Sequence, residues 1–244
     1  MILIDRSQEG ATELAGKLEK EFAGVKAEVC AVDLANAEGL QRAAKAVSGR
    51  PTLELLVNSA GFGTRGSFVE TEFAAQRKMI ELHIIASVTL CRAALPGMAA
   101  RNTGGIINVA SVAALTRFPE AAVYTASKMF LVAFTECLEV ELDNMGAHNV
   151  RVQALCPGNT RTAFNETDAM RGIDVSRMPD FMWMTPEELV ELSLERLGRK
   201  SGTYVPLFRN QVYCFLFGNR FIIQVLRVMR KAGISEGILR IIRK

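Results

Sequence analysis

The apolar positions of this chain form short runs that alternate with longer amphipathic stretches. In the longer stretches apolar residues recur at intervals of three and four, which is the helical period. The pattern predicts strands at 2–4, 27–32, 53–57, 106–109, 150–155 and 204–205, and helices at 8–22, 36–48, 72–100, 122–146 and 185–198. Strands that alternate with helices in this way form parallel βαβ units.

The predicted strands are almost wholly apolar, as expected where helices cover both faces of a sheet. We therefore predict an α/β fold with a doubly wound, mostly parallel, Rossmann-like sheet. One domain is expected over 1–206. Residues 207–244 are expected to form a helical tail packed on the domain, on a partner or on a membrane surface.

Composition fits a globular chain and limits the partners. Of 244 residues, 49% are hydrophobic and 23% are charged, and the net charge of +3 argues against nucleic acid as the main partner. The five cysteines are widely spaced, with no CxxC pair. They favour reduced thiols in a cytoplasmic protein, and we expect no metal site.

The tail is electrostatically distinct, because 207–244 hold eight Lys and Arg against a single acid, Glu236. Basic charge beside many apolar residues is typical of an interfacial helix on an anionic membrane. It also fits packing against another subunit, and a homo-oligomer is the expected assembly.

The segment Tyr124-Thr-Ala-Ser-Lys128 has the strongest chemical signal and lies near the start of the helix after strand 106–109. Residues four apart share a helix face, so the ammonium of Lys128 can lower the pKa of the Tyr124 phenol. Ser111 follows that strand, and its hydroxyl can hold a substrate oxygen. The three side chains predict proton exchange with a carbonyl or alcohol oxygen.

With these residues the chain resembles the short-chain dehydrogenase/reductase family along nearly its whole length. Residues 58–61, Asn-Ser-Ala-Gly, resemble the family's NNAG turn, and Cys156-Pro-Gly158 with Thr162 resembles its PG-x-x-x-T segment. The resemblance implies an NAD(P)-dependent oxidoreductase that interconverts a secondary alcohol and a ketone.

By this resemblance, Tyr124 is the general acid/base, Lys128 lowers its pKa and binds the nicotinamide ribose, and Ser111 holds the reacting oxygen. His83 stands where family members usually carry an Asn that links the catalytic Lys through water. An imidazole can bridge water too, so His83 is a candidate for the catalytic set. A buried histidine bonded to a backbone carbonyl is the alternative.

The resemblance also implies a cofactor surface along the strand ends. Asp5 can accept hydrogen bonds from both ribose hydroxyls, which slightly favours NAD, whereas Arg6 can pair with the 2′-phosphate of NADP. The other expected contacts are Asp33, Leu34, Asn58, Ala60, Gly61, Tyr124, Lys128, Pro157, Gly158, Thr160 and Thr162.

The N-terminus departs from the family pattern. Family members open with a strand and a TGxxxGxG turn that cradles the pyrophosphate, whereas this chain begins at what resembles their second strand. We therefore expect the first βα unit to be lacking, through a start assigned too late, a shortened chain or a true loss of cofactor binding. The last case gives the alternative function, a non-catalytic scaffold or regulator that keeps the fold.

Residues 61–66 match G-x-G-x-x-G, but we interpret them as a turn near the cofactor rather than as a phosphate loop. The long connection after strand 150–155 is rich in apolar residues, which favours a bulky apolar substrate, with simple packing of a lid as the alternative. These residues are Met170, Met178, Phe181, Met182, Trp183 and Met184.

Overall fold

The computed structural model of the protein describes residues 1–118, 120–166, 179–218 and 224. The strands are β1 (Ile2–Asp5), β2 (Glu28–Ala31), β3 (Leu55–Asn58), β4 (Gly104–Val109), β5 (Val150–Leu155), β6 (Asn159–Thr160), β7 (Trp183–Met184) and β8 (Gly202–Tyr204). The helices are α1 (Gln8–Glu21), α2 (Ala37–Ser48), α3 (Phe73–Ile80), α4 (Ser87–Arg101), α5 (Ala122–Asn144), α6 (Pro186–Arg199) and α7 (Phe208–Gly218). The predicted alternation of strands and helices is confirmed.

The main strands are all parallel and form two hydrogen-bonded groups. β1 pairs with β2, and the second group has the order β3-β4-β5-β8. A doubly wound sheet has the order 3-2-1-4-5-6. β2 and β1 match its third and second strands, and the second group matches the strands from the fourth onward. In the described chain no ladder joins β1 to β3, so the predicted sheet is in two pieces.

The two strand groups nevertheless share one hydrophobic core. Val32, just after β2, belongs to the same buried cluster as Leu56 of β3 and Ile106 of β4. Helices α2 and α4 add Leu40 and Leu90 to this cluster. The strand ends are therefore held along a common edge, which is where ligands bind in such folds.

The predicted helix over 72–100 is divided in the structure. α3 and α4 are separated by a π-helical turn, Glu81–Ala86, which contains His83. Single π turns within α-helices are frequent at functional sites. By length and composition the whole helix Phe73–Arg101 could cross a membrane, but α4 buries Leu90 and Met98 in the core.

The connection between β5 and α6 has structure at both of its ends. β6 pairs with β7, and the Arg161 guanidinium bonds the Asp180 carboxylate at 2.6 Å. Met184 of β7 is buried, so its role is packing. Met170 and Met178 lie outside the described residues.

Helix α7 is the described part of the tail. Its Tyr213 ring stacks on Phe118, with 6.4 Å between ring centroids, and Cys214 is buried. The rest of the tail, apart from Gln224, lies outside the described residues. The proposed domain boundary at 206 stays a prediction.

Candidate active site

Strand β4 and helix α5 bring together Ser111, Tyr124 and Lys128. Ser111 follows β4 and caps the short 3-10 turn Val112–Leu115, since its hydroxyl accepts a hydrogen bond from the Ala113 amide at 3.1 Å. α5 begins at Ala122, so Tyr124 and Lys128 lie on its first two turns. The three residues, which are separated in the sequence, therefore form one cluster at the carboxyl end of β4.

The Tyr124 phenol is close enough to the Ser111 side chain for the serine to affect its pKa. Burial raises the pKa of Tyr124 above its ordinary value, and the Ser111 contact offsets only part of that effect. The phenol is therefore protonated at neutral pH and can donate a proton. We expected Lys128 to lower this pKa, and that expectation is wrong: the pKa is raised by burial and by Cys156, and Ser111 alone opposes the rise.

Lys128 is buried below the tyrosine. Its Nζ donates to the carbonyl oxygen of Val109 at 2.8 Å and lies 5.8 Å from the centroid of the Tyr124 ring. Burial lowers the pKa of Lys128 to about 8, partly offset by the neighbouring Cys156 thiol. The ammonium is thus charged at neutral pH, and a modest rise in pH removes that charge.

His83 joins the cluster from the π-helical turn. The Phe62 amide donates to His83 Nε2 at 3.2 Å, so the ring proton is on Nδ1, which faces Ser127 Oγ at 2.9 Å. Ser127 in turn donates to the Tyr124 carbonyl at 2.7 Å. Burial and the Lys128 charge lower the pKa of His83 to about 2, so the ring is neutral.

The ring of His83 is buried, as in the second interpretation, but its partners differ from those of both. With one nitrogen bonded to a backbone amide and the other to a hydroxyl, the ring has no nitrogen left for a water relay in this arrangement. Its partners are also not the backbone carbonyl that we expected. The imidazole instead ties the turn after β3 to the first turns of α5.

The turn after β3 approaches the cluster so closely that it requires glycine. A Cβ at Gly61 would lie 2.8 Å from His83 Nε2 and 3.6 Å from Lys128 Nζ. Ala60 and Gly61 are both exposed, so the backbone of this turn faces open space beside the catalytic candidates. This placement suits the predicted contact with a cofactor.

A buried polar network lies directly behind the site. Asn58 Nδ2 donates to Asn108 Oδ1 at 2.8 Å, and Asn108 Nδ2 donates to Thr135 Oγ1 at 2.9 Å. The network links β3 and β4 to α5, and thereby fixes the helix that holds Tyr124. Asn58 Oδ1 is buried and has no hydrogen-bond partner among the described residues.

The predicted cofactor residues on β1 and β2 lie at the carboxyl ends of those strands. Asp5 and Arg6 are exposed, and Asp5 Oδ1 accepts the Ser7 amide at 2.7 Å. Asp33 accepts Lys78 Nζ at 2.9 Å, and this contact lowers its pKa, with a smaller effect from Arg6. Leu34 is mostly buried in the core.

A cavity of about 720 Å³ lies next to Asp33, between α2 and the helix that begins at Phe73. Its lining includes Leu34, Gln41 and Arg77. It adjoins the predicted cofactor residues, not Tyr124.

The residues after β5 are held close to α7. A Cβ at Gly158 would meet Asn210 Nδ2 at 2.7 Å, and the Pro157 carbonyl accepts the Val112 amide at 3.0 Å. Thr160 Oγ1 donates to the Gly158 carbonyl at 3.3 Å, whereas Thr162 is exposed. This segment is thus fixed against the turn that follows Ser111, with Thr162 at the surface.

Sequence reasoning missed several residues of the site. Ser127 and Phe62 bond His83, and the Phe164 ring lies 6.1 Å from that of Tyr124. A signal for the polar network was present, because Asn108 is a lone amide in an otherwise apolar strand. Phe62 directly follows the predicted cofactor residue Gly61, whereas no local pattern indicates Phe164, which reaches the site from the 3-10 helix Ala163–Glu166.

Comparison with known proteins shows the family to which the chain belongs. A family model described as short chain dehydrogenase matches residues 1–171. Dehydrogenase/reductase SDR family member 7B of Danio rerio is 33% identical over 167 residues, which cover 66% of this chain and 53% of that protein. 17-beta-hydroxysteroid dehydrogenase 13 of Rattus norvegicus is 28% identical over 214 residues, which cover 86% of this chain and 67% of that protein. The matches therefore span about half to two thirds of these relatives' lengths.

A solved structure confirms the predicted fold. The short-chain dehydrogenase from Sphingobium yanoikuyae in complex with NADPH matches with a TM-score of 0.77 at 26% identity. The match covers 96% of this chain and 85% of that chain. The α/β, Rossmann-like architecture is therefore shared across nearly the whole chain.

Proposed function

The chain belongs to the short-chain dehydrogenase family, and from that premise we propose that it is an NAD(P)-dependent oxidoreductase interconverting a secondary alcohol and a ketone on an apolar substrate. The observation that supports this most directly is the convergence of Ser111 and Tyr124 above the buried Lys128. One hydroxyl orients the substrate oxygen and the other exchanges a proton with it.

The described residues fit the ribose and nicotinamide parts of a dinucleotide. Asp5 presents an exposed carboxylate at the end of β1, and Ala60 and Gly61 present exposed backbone after β3. The unpaired Oδ1 of Asn58 is an acceptor beside that turn. The glycines at 61–66 are not at a helix N-terminus, since α3 begins only at Phe73, so we assign no residue to the pyrophosphate.

The proton chemistry follows from the protonation of the cluster. When bound, the nicotinamide supplies the hydride in reduction and accepts it in oxidation. Because the pKa of Tyr124 is raised, its phenol is protonated at neutral pH and donates that proton to the carbonyl oxygen in reduction. Ser111 holds the same oxygen by a second hydrogen bond, and the Lys128 charge stabilises the phenolate that remains.

The surroundings of Tyr124 favour an apolar substrate. Phe164 packs near the phenol ring. Phe181 and Met182, on the connection that precedes α6, are exposed apolar side chains available to a ligand. Among the relatives, 17-beta-hydroxysteroid dehydrogenase 13 has a name that indicates a bulky apolar alcohol. We therefore propose ketones and secondary alcohols with large apolar groups as substrates.

For the cofactor we retain the slight preference for NAD. The exposed carboxylate of Asp5 can bind two ribose hydroxyls and would repel a 2′-phosphate. Arg6 supports the opposite choice, and the matching structure from Sphingobium yanoikuyae contains NADPH. Each substrate assay should therefore be run with both dinucleotides.

The test of the proposed function is Tyr124→Phe in the full chain, assayed for reduction of apolar ketones with NADH and with NADPH. Loss of the hydroxyl removes the proton donor, so kcat should fall by about a thousandfold or more. Tyr204→Phe is the matched control, because this phenol lies on β8 beside Arg196 and should leave kcat unchanged. Equal activity of the two variants would remove Tyr124 from the mechanism.

Cofactor binding by the same two proteins distinguishes an enzyme from a non-catalytic scaffold that keeps the fold. The enzyme should bind NADH or NADPH, measured by calorimetry, and Tyr124→Phe should retain that binding. A chain that folds but binds neither dinucleotide at millimolar concentration would support the scaffold instead.

A further inference from the structure

Helix α7 has an apolar face that the rest of the described chain leaves exposed. Phe208, Val212, Phe215 and Leu216 lie at positions that share one side of a helix. The side chains of Phe208 and Phe215 are 78% and 66% exposed, and the other two are exposed as well. Such a contiguous apolar face is typical of a surface that contacts another apolar phase.

The opposite face of α7 is fixed to the body of the protein. Cys214 is buried, and the Asn210 side-chain amide donates to the Pro206 carbonyl at 2.8 Å. The Arg209 guanidinium donates to the Trp183 carbonyl at 3.0 Å. Because the inner face is held in this way, the outer apolar face points away from the protein.

The inner face of α7 lies beside the candidate active site. α7 packs on the 3-10 turn Val112–Leu115, which directly follows Ser111. The Arg117 guanidinium donates to the Gly218 carbonyl at the end of the helix. A surface that bound the outer face would therefore lie about one helix diameter, roughly 10 Å, from the turn that follows Ser111.

The charge of the residues after α7 indicates what kind of surface the outer face of α7 binds. Residues 219–244 contain seven Lys and Arg and a single acid, Glu236. A second copy of the chain would bring the same positive charge to the contact, and like charges repel. A bilayer with anionic headgroups instead complements that charge and accepts the apolar side chains.

We propose that the outer face of α7 and the basic segment 219–244 bind the surface of a bilayer that contains anionic lipid. α7 itself has 11 residues. Because its inner face is held on the body of the protein, α7 lies along the membrane surface and does not cross it. The binding is independent of catalysis and is measured without turnover.

The experiment is co-sedimentation of the full chain with vesicles of phosphatidylcholine alone or with about one third phosphatidylglycerol. The chain should pellet with the anionic vesicles and stay in solution with neutral ones. Phe208→Ser with Phe215→Ser should weaken partition by about tenfold or more, because two apolar anchors are lost. Phe68→Ser with Phe73→Ser is the matched control, since these rings are 62% and 73% exposed elsewhere, and it should bind as the unmodified chain does.

A second variant tests the electrostatic part on a chain with an intact α7. Replacing Arg227, Arg230 and Lys231 by Gln should reduce partition by at least about tenfold, and high salt should do the same to the unmodified chain. Circular dichroism verifies that each variant is folded.

Three results would overturn the proposal. The first is equal binding of the unmodified chain to neutral and anionic vesicles. The second is that the variant with both phenylalanines replaced and the variant with three Gln residues bind as well as the unmodified chain does. The third is absence of vesicle binding together with a lower subunit count in the Phe208→Ser, Phe215→Ser variant by light scattering. That outcome would show that a second copy covers the face.

Discussion

His83 illustrates how one side chain can organise a site without reacting. Its neutral ring joins the Phe62 amide to Ser127, which lies one turn after Tyr124 on α5. The ring must stay unprotonated to accept the Phe62 amide. The geometry of the site therefore depends on a histidine that stays neutral in the folded protein at mildly acidic pH.

The first prediction concerns pH. The pKa of His83 is about 2 in the folded protein and near 6.5 when unfolded, so below pH 6.5 only the unfolded state gains the proton. The contribution of the neutral His83 to the free energy of unfolding is fully present above that pH and is lost as the pH falls. Between pH 7 and 5 the unmodified chain should lose about 2 kcal/mol more free energy of unfolding than His83→Asn, measured in urea.

His148→Asn is the control for that measurement. His148 is exposed and lies apart from the His83 site, so its replacement should leave in place the pH dependence that His83 confers on the unmodified chain. Parallel profiles for the unmodified chain and His83→Asn would show that His83 does not have a lowered pKa.

At the scale of elements, helix α5 supplies most of the site. It holds Tyr124, Ser127 and Lys128 within its first two turns, and it is attached to β4 through the Asn108–Thr135 hydrogen bond. Lys128 adds a second attachment through the Val109 carbonyl. The position of the tyrosine thus depends on polar contacts that are buried between helix and sheet.

The second prediction tests that attachment. Thr135→Val keeps the side-chain shape but leaves the buried Asn108 amide without its acceptor, which should cost about 1–3 kcal/mol in the free energy of unfolding. Thr12→Val is the matched control. Both threonines donate to the carbonyl four residues earlier, but Thr12 lies on the exposed face of α1. Its replacement should change stability by less than about 0.5 kcal/mol, and equal losses would contradict the role of the network.

At the scale of the whole molecule, the main feature is the division of the sheet. β4 and β5 are paired on both sides, whereas in the described chain β1 and β3 are each paired on one side. Leu55 and Val57 of β3 are exposed although both are apolar. The stability of the backbone should therefore differ along the sheet.

The third prediction follows from that division and is measured by hydrogen exchange with mass spectrometry. Amides of β1 and β3 that point away from their partner strand should exchange about a hundredfold faster than those of β4 and β5. β4 and β5 serve as the internal reference because both lie in the same molecule. Equal protection of β3 and β4 would show that β3 has a second partner in solution.

Much of this architecture could be predicted from the sequence. The alternation of strands and helices was predictable because apolar periodicity is a local property. The π-helical turn around His83 was not, because the residues of 72–100 have one continuous helical pattern. Within this turn His83 contacts α5 and the turn after β3, and those contacts come from segments far away in the sequence.

The sequence by itself determined the fold class and the pairing of Tyr124 with Lys128, because residues four apart on a helix share a face wherever the helix lies. Only the tertiary structure decided the partners of His83, the network behind Asn58 and the exposure of the outer face of α7. It also decided that burial, and not Lys128, sets the pKa of Tyr124. Burial and hydrogen-bond partners come from segments far apart in the chain, so no local pattern contains them.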